Sequence, residues 1–307
     1  MTALDDPTRE PSRAVPVPAS DREPFAPLDW ALFAAVSGIW GASFLFIAIG
    51  LEHFHPGFIT LARVGLGAAA LAVLPGARTR IARVDRPLLV AISVIWVGVP
   101  FTLFPLAEEH INSAVTGLLN GATPFFAGLF AALFFNRTPR GPQRVGMVVG
   151  FGGITLVSFG SAVDGGSAIV GVVMVLAATI CYGLATNLAG PLQQKYGSVA
   201  LMSKVLAVAT VLTAPFGIWG LARSDFGWDA AAATTVLGVF GTGIAFALMA
   251  TLVGRVGGPR ASFITYLIPV VSLVLGAVFR DDEVSALALL GVVLVLGGAL
   301  LAARREH

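Results

Sequence analysis

NGATPFFAGLFAALFF, residues 120–135, and TYLIPVVSLVLGAVFR, residues 265–280, each place a proline inside a long apolar run. Proline has no N–H to donate and crowds the preceding turn, so the interior of a soluble helix rarely holds one. Within a bundle of membrane helices, neighbouring groups take up the freed carbonyl and the residue is tolerated. Pro124 and Pro269 lie 145 residues apart. Gly98 and Gly243, Phe134 and Phe279, Gly146 and Gly291, Gly152 and Gly297, and Gly153 and Gly298 keep the same offset, while Trp40-Gly41 and Tyr182-Gly183 match at 142. A constant offset over so many positions marks an internal duplication.

The composition sets the solvent. AVILMFWYC make up 56% of the 307 residues, and charged residues only 12%. With the 36 glycines added, roughly two thirds of the chain is apolar or Gly, where a soluble domain has about 45–50%. The chain therefore reads as an all-α integral membrane protein. Runs of about 20 apolar residues, the length a bilayer demands, are predicted over 30–50, 56–75, 87–106, 111–135, 141–160, 167–188, 198–221, 230–253, 260–279 and 284–303. The first 28 residues carry six prolines and eight charges without an apolar run, and read as a disordered cytoplasmic tail rather than a signal peptide.

Ten spans with the N-terminus inside put 15 of the 19 Lys and Arg on the cytoplasmic side, leaving only Arg223 and Arg280 in outer loops. This is the bias that orients membrane proteins, and it predicts both termini in the cytoplasm of a cell-membrane protein. Five spans per repeat is an odd number, so the two halves must enter the membrane from opposite sides. The loops carry the corresponding charge exchange: Arg137, Arg140 and Arg144 follow span 4, whereas Arg280-Asp-Asp-Glu283 follows span 9. The predicted fold is ten transmembrane helices as two inverted five-helix repeats. That build gives secondary transporters their two mirror-related states.

Candidate binding residues follow from polar groups inside the runs. Asn120, Thr123, Thr265 and Tyr266 flank the prolines, whose kinks are expected to turn freed carbonyls toward a central cavity. Arg63 and Lys204 are cations within spans, which are costly and mark functional sites. Either could hold a carboxylate, Arg through two hydrogen bonds, or could reach toward the nearer surface. Trp40, Ser43, Tyr182 and Asn187 decorate spans 1 and 6. All 17 acidic residues fall in tails, loops or span ends, which argues against a proton relay at mid-membrane while leaving proton coupling at Glu108, Glu109 or His110 open. These three, with Glu52, His53 and His55, read as solvated outer-loop residues rather than a metal site. Gly146-Met-Val-Val-Gly150 is a GxxxG pattern suited to helix packing or a dimer seam, so monomer and homodimer both remain open.

The order of motifs resembles the EamA-type transporters of the drug/metabolite transporter superfamily. The carriers are WGASF at 40–44, Arg63, NSAVTGLLNGATPFFAGLFAAL at 112–133, and RASFITYLIPVVSLVLGAVFRDDEVSALALLGVVLVLGGALLA at 260–302. The resemblance implies EamA-like repeats over 29–160 and 164–303 and movement of small metabolites, often amino acids or related compounds, frequently as export. That family usually carries a Gly-Glu pair after spans 4 and 9; here Asn136-Arg137 stands in the first place and Asp281-Asp282 keeps the acid in the second. The expected protein is a secondary transporter in the lipid bilayer acting on a small molecule, without cofactor, metal or nucleic acid. A non-transporting sensor or scaffold is the alternative, and an intramembrane enzyme a weaker one. Neither lysine follows a glycine, so no ATP-binding P-loop is present. A C-terminal alkaline phosphatase fusion is expected to be inactive; an active fusion would put the C-terminus outside and overturn the ten-span arrangement.

Overall fold

The computed structural model describes residues 25–134, 141–162, 166–262 and 264–303. Most of the predicted N-terminal tail, and Asn136 and Arg137, lie outside them. Every regular element among the described residues is helical. The principal helices are α1 (Pro27–Leu51), α2 (Pro56–Ala72), α3 (Arg83–Glu108), α4 (Ser113–Phe134), α5 (Pro142–Ala162), α6 (Gly166–Tyr196), α7 (Ser198–Leu221), α8 (Trp228–Val256), α9 (Ile264–Arg280) and α10 (Ala286–Ala303). Six of them, α1, α3, α4, α6, α7 and α8, are long and apolar enough to cross a membrane, and α2, α9 and part of α10 are shorter apolar helices. The outward faces are apolar too: Val211 and Ile218 of α7, Val278 of α9 and Val293 of α10 are exposed. Such a surface is matched to lipid, and Trp30, Trp219 and Trp228 stand exposed near helix ends, where interfacial tryptophans belong.

Local chemistry sets the helix boundaries. Pro27, Pro56 and Pro142 open α1, α2 and α5 at the position where a missing N–H costs nothing. The His55 Nδ1 accepts from Gly57 N, and the Asn112 side chain accepts from Val115 N, capping α2 and α4. The predicted run 111–135 is interrupted: helix runs over Ser113–Asn120 and again over Thr123–Phe134. Pro124 thus stands near the head of the second segment, just after the break at Gly121 and Ala122. The Asn120 carbonyl, which Pro124 cannot engage, accepts the Thr123 hydroxyl at 2.9 Å. Pro269 instead lies inside the continuous α9, buried, and its ring packs against Gly121. Helix α6 passes the predicted end at residue 188 and continues to Tyr196, where Lys195 and the Tyr196 hydroxyl both bond Asp85 at the start of α3.

Two π-helical segments lie within longer helices, Ser93–Gly98 in α3 and Val239–Ile244 in α8. A π turn widens the helix by one residue and leaves local carbonyls free for side chains.

Close backbone approaches at glycine hold the bundle. A Cβ on Gly153 of α5 would stand 2.4 Å from the Gly291 carbonyl oxygen, and one on Gly298 of α10 2.5 Å from that of Gly146. At Gly41 of α1 it would meet Val271 of α9, and at Gly183 of α6 it would meet Phe126 and Ala127 of α4. Helices α2 and α7 interlock likewise, Gly57 against Phe216 and Gly217 against Leu61. Without a hydrophobic drive between helices in lipid, this close packing is what associates them. Gly153→Val should therefore lower the thermal stability of the detergent-purified protein by about 1–3 kcal/mol, the usual cost of overpacking. Gly152→Ala, where an added methyl meets nothing within 4 Å, should leave it unchanged.

Candidate functional site

A cavity of about 440 Å³ lies inside the bundle. Arg63, Phe104, Gln193 and Ser198 are among the residues that line it. Helices α1, α2, α3, α4, α6, α7, α8 and α9 all contribute to its wall. Seven predicted residues line it: Trp40, Ser43, Arg63, Asn120, Thr123, Tyr182 and Thr265.

Arg63 is the wall's cation, and its side chain is fixed on two sides. Its Nε donates to the Thr242 hydroxyl at 3.1 Å, and its guanidinium carbon lies 3.9 Å from the centre of the Phe101 ring. Thr242 in turn donates to the Leu237 carbonyl five residues back, a partner offered by the π segment. Gly67 and Gly238 bring α2 and α8 close enough for this contact, since a methyl on either would clash across the interface. Among the described residues only the Nε has a hydrogen-bond partner, and Arg63 is part of the cavity wall. A planar guanidinium held in this way is pre-set to meet a carboxylate through parallel hydrogen bonds.

Around it the wall is largely aromatic. Trp40 packs edge-on to Phe246 at 5.6 Å, Phe44 to Phe104 at 5.5 Å, and Tyr182 tilts against Phe104 at 5.8 Å. Hydroxyl and amide groups of Asn120, Thr123, Gln193, Ser198, Ser262 and Thr265 punctuate the apolar surface. The result is an amphipathic chamber, of a size that suits a small metabolite.

Three predicted residues stand outside this wall. Asn187 donates its amide to the Ala127 and Gly183 carbonyls at 3.0 and 2.8 Å, tying α6 to α4. Lys204 is half-buried on α7, and Tyr266 is half-buried on α9. The sequence reading did not reach Phe44, Trp96, Phe101, Phe104 or Phe246, because a phenylalanine facing a cavity and one facing lipid follow the same pattern. Thr242 was also missed; the offset between Gly98 and Gly243 was its only trace, one residue away.

A second, polar cavity of about 600 Å³ lies among the α1–α2, α3–α4, α7–α8 and α9–α10 connections. The α9–α10 turn is clamped beside it. The Asp282 carboxylate accepts from Ser113 Oγ at 2.6 Å and Ala114 N at 2.9 Å, Asn112 donates to the Glu283 carbonyl, and Arg280 pairs with Glu52. At the other end of the bundle Asp29 pairs with Arg255.

An apolar helical bundle enclosing a polar-studded chamber with a fixed cation is the build of a membrane transporter. The EamA-like transporter family matches residues 28–159 and 169–304, and the chain belongs to that family. A probable terminal-alkyne amino-acid exporter of Streptantibioticus cattleyicolor is 28% identical over 90% of this chain and 93% of its own length. A transporter of Archaeoglobus fulgidus is 24% identical over 90% and 99%, and a probable amino-acid metabolite efflux pump of Escherichia coli 24% over 88% and 93%. One solved crystal structure shares the fold, with a TM-score of 0.62 at 17% identity, covering 89% of this chain and 96% of the other.

Proposed function

We propose that this protein is a secondary transporter that exports a small carboxylate-bearing metabolite, an amino acid or a related compound, by alternating access across the cell membrane. The observation that carries the reading is Arg63, a buried cation held by Thr242 and Phe101 in the wall of an aromatic-lined chamber. The guanidinium would take the carboxylate, the aromatic wall the apolar body, and the hydroxyls and amides the remaining polar groups. Export follows the names of the Streptantibioticus and Escherichia relatives. The process moves the solute without covalent chemistry.

The reading rests on ten membrane-crossing helices in two inverted halves, 29–160 and 164–303, with both termini in the cytoplasm. Several observations support it. The family matches the chain in two stretches. The Gly153–Gly291 approach has its reciprocal in Gly298–Gly146, residues equivalent at the 145 offset; such exchange is what a two-fold axis between α5 and α10 produces. Gly41 meets Val271 as Gly183 meets Phe126, and π segments fall at nearly equivalent places in α3 and α8. In this arrangement the chamber reaches the cytoplasmic end beside Gln193 and Ser198, and the Asp282 and Arg280 contacts close the outer side.

Flux of radiolabelled amino acids and related carboxylates into proteoliposomes tests the function. Arg63→Gln should lower the flux of an accepted substrate about 10-fold or more, the worth of a hydrogen bond to a charged group, in protein that still folds and inserts. Lys204→Gln should change it little. No flux across the panel would leave a scaffold or sensor, and full flux in Arg63→Gln would remove Arg63 from substrate binding.

A further inference from the structure

Glu108 has no part in the binding scheme above, yet its surroundings are unusual for a residue at a helix end. It closes α3 and helps line the polar outer cavity. Read from sequence it is a solvated loop residue, but both carboxyl oxygens are buried, and neither has a hydrogen-bond partner among the described residues. Its neighbour Glu109 is exposed.

The charged groups acting on Glu108 come from other elements: Arg63 from α2, and Arg280 and Asp282 from the end of α9. None of them satisfies it. Arg63 makes no hydrogen bond to it and gives its Nε to Thr242, Arg280 is paired with Glu52, and Asp282 is itself negative and held by Ser113 and Ala114. Tyr182 of α6 lines the same cavity as Arg63. An ionised carboxylate out of water with no donor is strongly disfavoured, and a bound proton removes the charge. The α9–α10 turn stands at the same cavity, which Arg280 and Asp282 line together with Glu108, and it is clamped to the start of α4 by Asp282 and to Glu52 after α1 by Arg280. Lifting that turn would admit water and solvate the charge.

We propose that Glu108 is a proton-binding site that governs the outer side of the transporter: a bound proton permits closure, and its loss favours opening. The inference rests on the alternating-access reading above. Arg63 acts on Glu108 and on the chamber alike, so an anion bound at Arg63 withdraws attraction from the ionised carboxylate, and proton and substrate occupancy become linked.

The test is the distance between spin labels on the full chain in lipid nanodiscs, at Asp225→Cys and Glu283→Cys in a Cys181→Ser background. A longer-distance population should appear as pH is raised. It should be absent in Glu108→Gln, which stays closed throughout, and should persist in Glu109→Gln. A wild-type distribution that ignores pH, or a Glu108→Gln protein that opens as wild type does, overturns the proposal. If Glu108→Gln does not fold, Glu108→Asp should move the midpoint pH of opening, and an unmoved midpoint overturns it equally. Opening with pH but no flux in the substrate panel would remove the transport reading and keep the proton site; flux without pH-dependent opening would do the reverse.

Discussion

Lipid offers no hydrogen bonds, and that constraint shapes every part of this chain. Backbone groups in the hydrocarbon must be paired within the segment, which is why the described elements are helical and their outer faces apolar. A transporter must nevertheless present polar groups inside. The irregular stretches answer both demands: the π segments of α3 and α8 and the break in α4 supply carbonyls and side chains, and they face other helices or the chamber, where partners exist. Asn120 and Thr123 show this at the smallest scale, since the carbonyl that Pro124 leaves free is taken by a hydroxyl three residues on.

Arg63 is costly inside such a bundle, and its neighbours are arranged to hold it. The π turn gives Thr242 a carbonyl five residues back and places the Thr242 hydroxyl to accept from Arg63. Gly67 and Gly238 let α2 and α8 approach, and Phe101 supplies a ring face. The cation is thereby fixed without being neutralised. A guanidinium already paired with a protein carboxylate would offer less to a ligand.

The glycine contacts set how the helices pair. Gly146, Gly153, Gly291 and Gly298 bring α5 and α10 to backbone contact through a seam of small residues. Such seams fix the pairing of helices while leaving few long side chains to unlock. By contrast the clamp on the α9–α10 turn, made of Asp282, Arg280 and Asn112, uses a small set of polar contacts at the edge of a polar cavity. At the 145-residue offset Asp282 corresponds in sequence to Arg137, and a guanidinium cannot accept hydrogen bonds as the Asp282 carboxylate does. The stretches of sequence that follow α4 and α9 are therefore not chemically alike.

The sequence by itself determined the solvent, the helical runs, the duplication and most of the polar residues that line the chamber. These depend on composition, on spacing and on the cost of a polar group in lipid, all of which act along the chain. Trp40, Arg63, Asn120, Thr123, Tyr182 and Thr265 were legible for that reason. Only the tertiary structure decided which face each aromatic turns inward, that Asn187 ties α6 to α4 instead of meeting a ligand, that Thr242 holds Arg63, and that Glu108 is sealed while Glu109 is exposed. Those outcomes depend on contacts between helices far apart in the chain. An apolar residue reads the same whether lipid, core or cavity lies beside it, and an acid at a helix end reads as solvated until the fold buries its carboxyl oxygens.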